Sequence, residues 1–187
     1  MSSYNMIANV GNTIAEVLKK SLVPDVIQNE NFIGLCSPND KGDFILGIYL
    51  YNIEENRDMR MNSYISNGTD VQVKPPIFLN LYYMITPYSQ SDVRFKSYEN
   101  QIILGKVIQT LNDYSTIIDK SGNKLNVNMI NLTDDQKRNI LNSFQNSTNN
   151  NVSIFYRVSP VQIESTNVRQ VVRVKDVDLS IDNQIGY

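Results

Sequence analysis

The chain has 187 residues, 41% of them hydrophobic and 19% charged, with a formal net charge of -2, a single cysteine (Cys36) and no histidine. This is the length of one domain, and it is long enough to bury a core without stabilisation by disulfides or metals. The lack of any Lys or Arg run argues against nucleic acid as a partner. Without histidine, Ser-His-Asp and Cys-His catalysis are ruled out, and one cysteine excludes an internal disulfide.

The first quarter of the chain predicts one helix and two strands. Apolar residues at helical spacing favour a helix over Ser3–Lys20, which Pro24 ends. Asn31–Ser37 and Phe44–Asn52 are typical of strands, and the turn Pro38–Gly42 between them predicts a hairpin. The second strand is apolar on both faces, so we expect it to lie centrally in its sheet.

The segment Ile53–Asp70 is polar and predicts a solvated, flexible loop. The alternative is a contact loop that orders on assembly, with Met59 and Met61 as adaptable contacts. In either case Arg57 and Arg60 are candidate partner-contact residues.

The middle of the chain predicts the main core elements. Pro75 and Pro76 lead into a strand at Ile77–Thr86, because proline can precede a strand but not occupy its middle. A helix follows over Ser97–Asn112. We expect its apolar stripe to be buried against that strand through Leu104, Val107, Ile108 and Leu111.

The last third predicts further strands and a small helix. Leu125–Asn131 alternates and indicates a strand with one wet face. Thr133 and Gln136 form a capping box, which starts a helix with the apolar residues Ile140, Leu141 and Phe144. Apolar residues alternate from Val152 to Val158, which predicts a strand. Pro160 interrupts this strand, and the apolar residues after it fall on the other parity. In Val168–Ile181 the apolar face changes near Lys175, which predicts a β-bulge or a strand break.

Together these elements predict a single α+β domain over residues 1–187, with a mixed, mostly antiparallel sheet flanked by two main helices and a smaller third. No Gly-rich phosphate loop is present. The acidic pair Asp134–Asp135 is explained by a helix start, and the 11 tyrosines fit core or interface packing. We therefore predict no catalytic, cofactor or metal site and no enzyme activity. We also predict no signal peptide and no membrane span, and hence a cytoplasmic protein.

Three stretches carry a family resemblance: KPPIFLNLYYMITPY, ENQIILGKVIQTLND and FYRVSPVQIES. They resemble the tail-terminator (cap) proteins of extracellular contractile injection systems, the phage-tail-like particles of the antifeeding-prophage type. The motif core falls on Pro75, Pro76, Leu79, Asn80, Tyr82, Tyr83, Leu104, Gly105, Leu111, Tyr156, Arg157 and Pro160. Family members often have a tryptophan where this chain has Phe144. Many also carry a C-terminal extension, and the binding functions of that extension are not expected of this chain.

The resemblance implies a structural role without cofactors. Such proteins form hexameric rings that close the distal end of the inner tube and sheath, so the expected partners are further copies, sheath and tube proteins. The particle is expected to assemble in the cytoplasm and leave by lysis. Two alternatives remain: a baseplate or tube-adaptor protein of the same particle, and a small-molecule-binding module with a tyrosine-lined pocket.

The C-terminal segment Val168–Ile181 is the expected docking point for the sheath, since a free strand edge offers unpaired backbone groups. The alternative is an internal strand of the domain's own sheet. Candidate contact residues in this segment are Arg169, Arg173 and Lys175.

Overall fold

The computed structural model describes residues 3–68, 70–119, 122–144 and 151–170. Its α-helices are α1 (Met6–Leu22), α2 (Val93–Asp113) and α3 (Asp134–Asn142). Its strands are β1 (Ile33–Leu35), β2 (Leu46–Glu55), β3 (Ile65–Ser66), β4 (Val71–Val73), β5 (Ile77–Pro87), β6 (Thr116–Ile118), β7 (Lys124–Met129), β8 (Ile154–Ile163) and β9 (Val168–Gln170).

The strands form two sheets. The main sheet has six strands in the order β1-β2-β5-β8-β7-β6, and every neighbouring pair is antiparallel except β1 with β2. The other three strands form a small antiparallel sheet, β3-β4-β9, which we call the arm. The predicted α+β class with a mixed, mostly antiparallel sheet is confirmed.

The predicted hairpin between the first two strands is wrong, because β1 and β2 run parallel. Between them the chain passes through a 3-10 turn at Pro38–Asp40 and through Gly42, whose φ is 51°. It then returns to the start of β1, where the Ile45 N–H donates to the Phe32 carbonyl. Turn residues indicate that the chain reverses, but not which end of the first strand it returns to.

The helices α1 and α2 pack side by side and cover one face of the main sheet. This buries the larger of two apolar clusters, which includes Val10, Ile14, Leu18, Ile103, Leu104, Val107, Leu111, Leu81, Tyr83 and Ile85. The 21-residue α2 begins at Val93, four positions before the predicted start.

The expectation for Ile108 is wrong: this side chain is 37% exposed, whereas Val107 is fully buried. Consecutive helical residues point about 100° apart, so a helix centred on Val107 turns Ile108 outward. Ile103 and Thr110 complete the buried face instead.

The opposite face of the main sheet carries a smaller apolar cluster of Met84, Phe144 and Phe155. Tyr49 lies edge-on to Phe144 at 5.2 Å between ring centroids, and Tyr51 is edge-on to Phe155 at 5.6 Å. The short helix α3 lies nearby and starts at the predicted capping box. Among the described residues, α3 is the helix that packs near this cluster, and it has nine residues.

Two other sequence predictions concern irregular backbone. At the predicted interruption of β8, Ser159 and Pro160 stand opposite the single residue Asn80 of β5, which confirms the parity change. Proline has no N–H to donate, so the ladder bulges there. The predicted loop Ile53–Asp70 is only partly a loop, because β2 continues to Glu55 and β3 lies within it.

Candidate assembly surfaces

The motif residues fall into three environments. Leu79, Tyr83, Leu104, Leu111 and Tyr156 are buried. Six are half-buried, namely Pro75, Pro76, Asn80, Tyr82, Arg157 and Pro160, while Gly105 is exposed. Five of the twelve motif residues therefore build the core, and the other seven lie partly or wholly at the surface.

One surface group lies on the sheet face that α1 and α2 leave open. Tyr82 and Arg157 pair across β5 and β8, and the Tyr82 hydroxyl donates to Glu54 Oε2 at 2.7 Å. Burial and the neighbouring Glu54 raise the pKa of Tyr82, while Arg157 beside it acts to lower that pKa. Within the described part of the chain, the buried Nε of Arg157 has no hydrogen-bond partner. The group can donate hydrogen bonds but contains no acid–base pair suited to catalysis.

Other residues with shifted pKa values also lack a catalytic arrangement. Burial raises the pKa of the half-buried Cys36, which favours the protonated thiol. Glu99 accepts hydrogen bonds from the hydroxyls of Ser89 and Ser91, and these bonds hold its pKa below the usual range. They tie the loop before α2 to that helix, which is a structural use of the carboxylate.

A surface cavity of about 500 Å³ lies beside this loop, lined by residues that include Asp25, Ile27, Phe32, Glu99 and Ile103. No tyrosine lines it, so it is not the tyrosine-lined pocket expected of a small-molecule-binding module. Across residues 3–68, 70–119, 122–144 and 151–170, no group of three His, Cys, Asp or Glu side chains could hold a metal ion, and no helix is long and apolar enough to cross a bilayer.

The candidate contact residues Arg57 and Arg60 are exposed at the 3-10 turn that follows β2. Arg60 Nε lies 3.7 Å from Glu55 Oε1. An exposed ion pair of this kind contributes at most about 1 kcal/mol, so both arginines are available to a partner.

Arg169 lies in the arm and is already engaged. Its guanidinium stacks on the Tyr64 ring at 3.7 Å and donates to Gln72 Oε1 at 2.8 and 3.0 Å. The structure therefore gives Arg169 a role in holding β9 against β4. The other two candidates, Arg173 and Lys175, and the bulge predicted near Lys175, lie outside the described residues.

The sequence predicts a strand from Val168 onward, and β9 is its described part, but the sequence does not predict β3, β4 or their pairing with β9. The arm that these strands form presents an apolar face. Ile65, Val73 and Val168 stand opposite one another across its three strands. Ile65 is 46% exposed and Val168 56%. Pro75 and Pro76 connect the arm to β5. Both prolines also line a surface groove, which Tyr64 lines as well. The alternation that could have indicated these strands extends over only two or three residues each.

Two solved structures are similar to this fold. One is the sheath/tube terminator of PVC, an extracellular contractile injection system, in its extended state, with a TM-score of 0.64 and 16% identity over 97% of this chain and 65% of that chain. The other is the tube-terminating cap of the anti-feeding prophage, with a TM-score of 0.63 and 19% identity over 92% of this chain and 60% of that chain. The chain spans less than two thirds of either protein.

Curated proteins give no match. The profile of the Pvc16 N-terminal domain matches residues 9–175, which is most of the chain. This match confirms the resemblance drawn from the motifs on β5, α2 and β8. The chain therefore belongs to the Pvc16 N-terminal domain family.

Proposed function

We propose that this chain is a tail-terminator (cap) subunit of a contractile injection system. It closes the distal end of the inner tube and sheath, ends tube growth and stabilises the extended sheath. The observation that carries the proposal is the family match over residues 9–175, and the fold shared with a terminator and a cap supports it.

The proposed role is structural rather than enzymatic. The groups whose pKa values are shifted are tyrosines, a half-buried thiol and a carboxylate that ties down a loop, and none of them forms a nucleophile–base pair. These features support a protein that acts through its surfaces.

The proposed partners are further copies of the chain in a hexameric ring, together with sheath and inner-tube proteins. The ring assembles in the cytoplasm on a particle that is released by lysis. The proposed sheath contact is the strand edge of Val168–Ile181, of which β9 is the described part. β9 pairs with β4 on one side, and no other described strand pairs with it. A free edge can accept a strand from a partner by main-chain hydrogen bonding.

Light scattering of the purified protein tests the ring. The expected result is a particle of six 21.4 kDa chains, visible as a ring in electron micrographs. A monomer at every concentration, with no ring on isolated particles, would contradict the proposal.

A further inference from the structure

The surface cavity beside the loop that precedes α2 combines an apolar lining with two carboxylates, and we call it the acidic cavity. Its volume of about 500 Å³ is typical of ligand sites. The carboxylates are those of Asp25, which is exposed, and Glu99, which is half-buried. None of the lining residues, all of which are described, is a lysine or an arginine. Half of the lining is apolar, namely Val26, Ile27, Phe32, Ile45, Ile102 and Ile103.

Hydrogen bonds within the chain hold the walls of the acidic cavity in place. After α1 the chain folds back, and the Ile27 N–H donates to the carbonyl of the last residue of that helix at 3.0 Å. The Ile45 N–H donates to the Phe32 carbonyl at 2.8 Å, which joins the two segments of a second wall. The Ser89 N–H donates to Asn100 Oδ1 at 2.9 Å and fixes the third wall to α2. The cavity is therefore built by the fold of the single chain.

Within the described part of the chain, the two oxygens of Glu99 are used differently. Oε2 accepts hydrogen bonds from the hydroxyl of Ser89, at 2.5 Å, and from that of Ser91, whereas Oε1 accepts none from a described residue. A carboxylate oxygen has about two acceptor positions, so the two hydroxyls fill those of Oε2. The same two bonds hold the pKa of Glu99 below its usual range, which favours the charged form at neutral pH. The carboxylate therefore has one oxygen left to bind a ligand.

These features favour a ligand that is apolar along its length and cationic at its end. A lysine side chain has this form, because its aliphatic stem can lie on apolar side chains while its ammonium reaches a carboxylate. Arginine binds a carboxylate best through two parallel hydrogen bonds, which use both oxygens. Since Glu99 has only Oε1 available, it suits the point charge of lysine better than the fork of arginine.

We propose that the acidic cavity binds a lysine side chain of a partner polypeptide, with the lysine stem on Ile27 and Ile103 and the ammonium at Glu99 Oε1. The choice of a polypeptide rests on the proposed function, in which the chain acts by contacting other proteins. The site itself rests on the cavity and its charges. It is a contact separate from both Ile53–Asp70 and Val168–Ile181.

Methyl NMR tests the site, because isoleucines line the cavity and report on its occupancy. The probe is N-acetyl-lysine N-methylamide, titrated into the full chain with labelled isoleucine methyl groups. Its binding should shift the signals of Ile27, Ile45, Ile102 and Ile103 but not that of Ile65 in the arm. The norleucine analogue, which has a similar stem without the ammonium, should bind about tenfold more weakly. The arginine analogue should also bind more weakly than the lysine probe.

A charge-removing variant tests the role of Glu99. Glu99→Gln should weaken binding of the lysine probe by about tenfold, because a charge-assisted hydrogen bond is lost. Glu16→Gln is the matched control, since it removes the same charge on the exposed side of α1 and should leave the affinity unchanged. Circular dichroism of both variants checks that the fold is retained.

A second variant keeps the site testable if Glu99→Gln disturbs the loop. Ile102 is 43% exposed and lies three residues after Glu99 on α2, so Ile102→Lys places an ammonium within reach of that carboxylate. This variant should no longer bind the lysine probe. Ile108→Lys adds the same charge at a position on α2 that is 37% exposed and lies outside the cavity lining, and it should bind the probe normally.

Three results would overturn the lysine site: equal binding of the lysine and norleucine probes, unchanged affinity in a folded Glu99→Gln, or normal binding by Ile102→Lys. Binding that appears only after truncation at Gln170 would show that the chain's own C-terminal segment fills the cavity, which would overturn a partner's lysine there. Particles that are capped normally by a chain that does not bind the probe would overturn this inference alone. Probe binding by a chain that does not cap particles would instead overturn the proposed function alone.

Discussion

Leu104 and Ile108 are one helical turn apart on α2, yet Leu104 is 8% exposed and Ile108 37%. Leu104→Ala removes buried methyl groups and leaves a cavity, so we expect a loss of about 2–5 kcal/mol in the free energy of unfolding. Ile108→Ala should cost about 0.5 kcal/mol, because surface substitutions perturb stability little. Urea unfolding of each variant and of the unmodified chain measures both losses. Equal losses would contradict the observed rotation of α2.

The Tyr83 side chain is 1% exposed, and its hydroxyl has no hydrogen-bond partner among the described residues. A buried polar group without a partner carries a desolvation penalty, so we expect Tyr83→Phe to raise the free energy of unfolding by about 1 kcal/mol. Tyr82→Phe is the control and should lower it by a similar amount, about 1 kcal/mol, because it removes the hydrogen bond to Glu54. A destabilised Tyr83→Phe would mean that the hydroxyl is satisfied.

Burial raises the pKa of several tyrosines, that of Tyr51 to about 12, and those of Tyr83, Tyr88 and Tyr156 above their ordinary value. The unfolded chain releases these protons near pH 10, whereas the native state retains them. The resulting stability is fully present below about pH 10 and is lost as the pH rises through the native values. The urea concentration at the unfolding midpoint should therefore be lower at pH 11 than at pH 9. This decrease should be smaller for Tyr83→Phe. A pH-independent midpoint would refute this.

At the scale of elements, the sequence predicts the long ones well. The patterns of α1, β5 and α2 each extend over many residues, and the capping box and Pro160 mark local chemistry that does not depend on the rest of the fold. The sequence does not predict the parallel pairing of β1 with β2, because direction depends on where the chain returns. It also does not predict β3, β4 or the pairing of β4 with β9, which joins residues as distant as Gln72 and Arg169.

Truncation after Gln170 tests which element holds the sheath. The shortened chain keeps every strand from β1 to β9, so we expect it to fold and to form rings. Particles should nevertheless lose the cap, because the proposed sheath-binding edge is shortened. Circular dichroism measures folding, light scattering measures ring formation, and electron microscopy of particles measures capping. A truncated protein that caps particles normally would exclude this edge, and one that fails to fold would shift the proposed sheath contact to Ile53–Asp70.

At the scale of the whole molecule, the family could be predicted from sequence, because ten of its twelve motif residues lie on β5, α2 and β8, the long elements whose patterns are local. The assembly surfaces could not, since they combine parts distant in sequence. Among the candidate contact residues, Arg169 proves to be occupied within the arm by Gln72 and Tyr64. Gly105 is recognisable as a motif residue, and the structure shows that it is exposed on α2.

The most direct test of the terminator role is electron microscopy of particles from producing cells in which the gene for this chain is deleted or restored. With the gene restored, we predict sheathed tubes of uniform length, each with a ring at the end away from the baseplate. With the gene deleted, we predict tubes of variable length that lack this ring. Uniform, capped particles in the deletion, or a ring of this protein located at the baseplate end, would contradict the account.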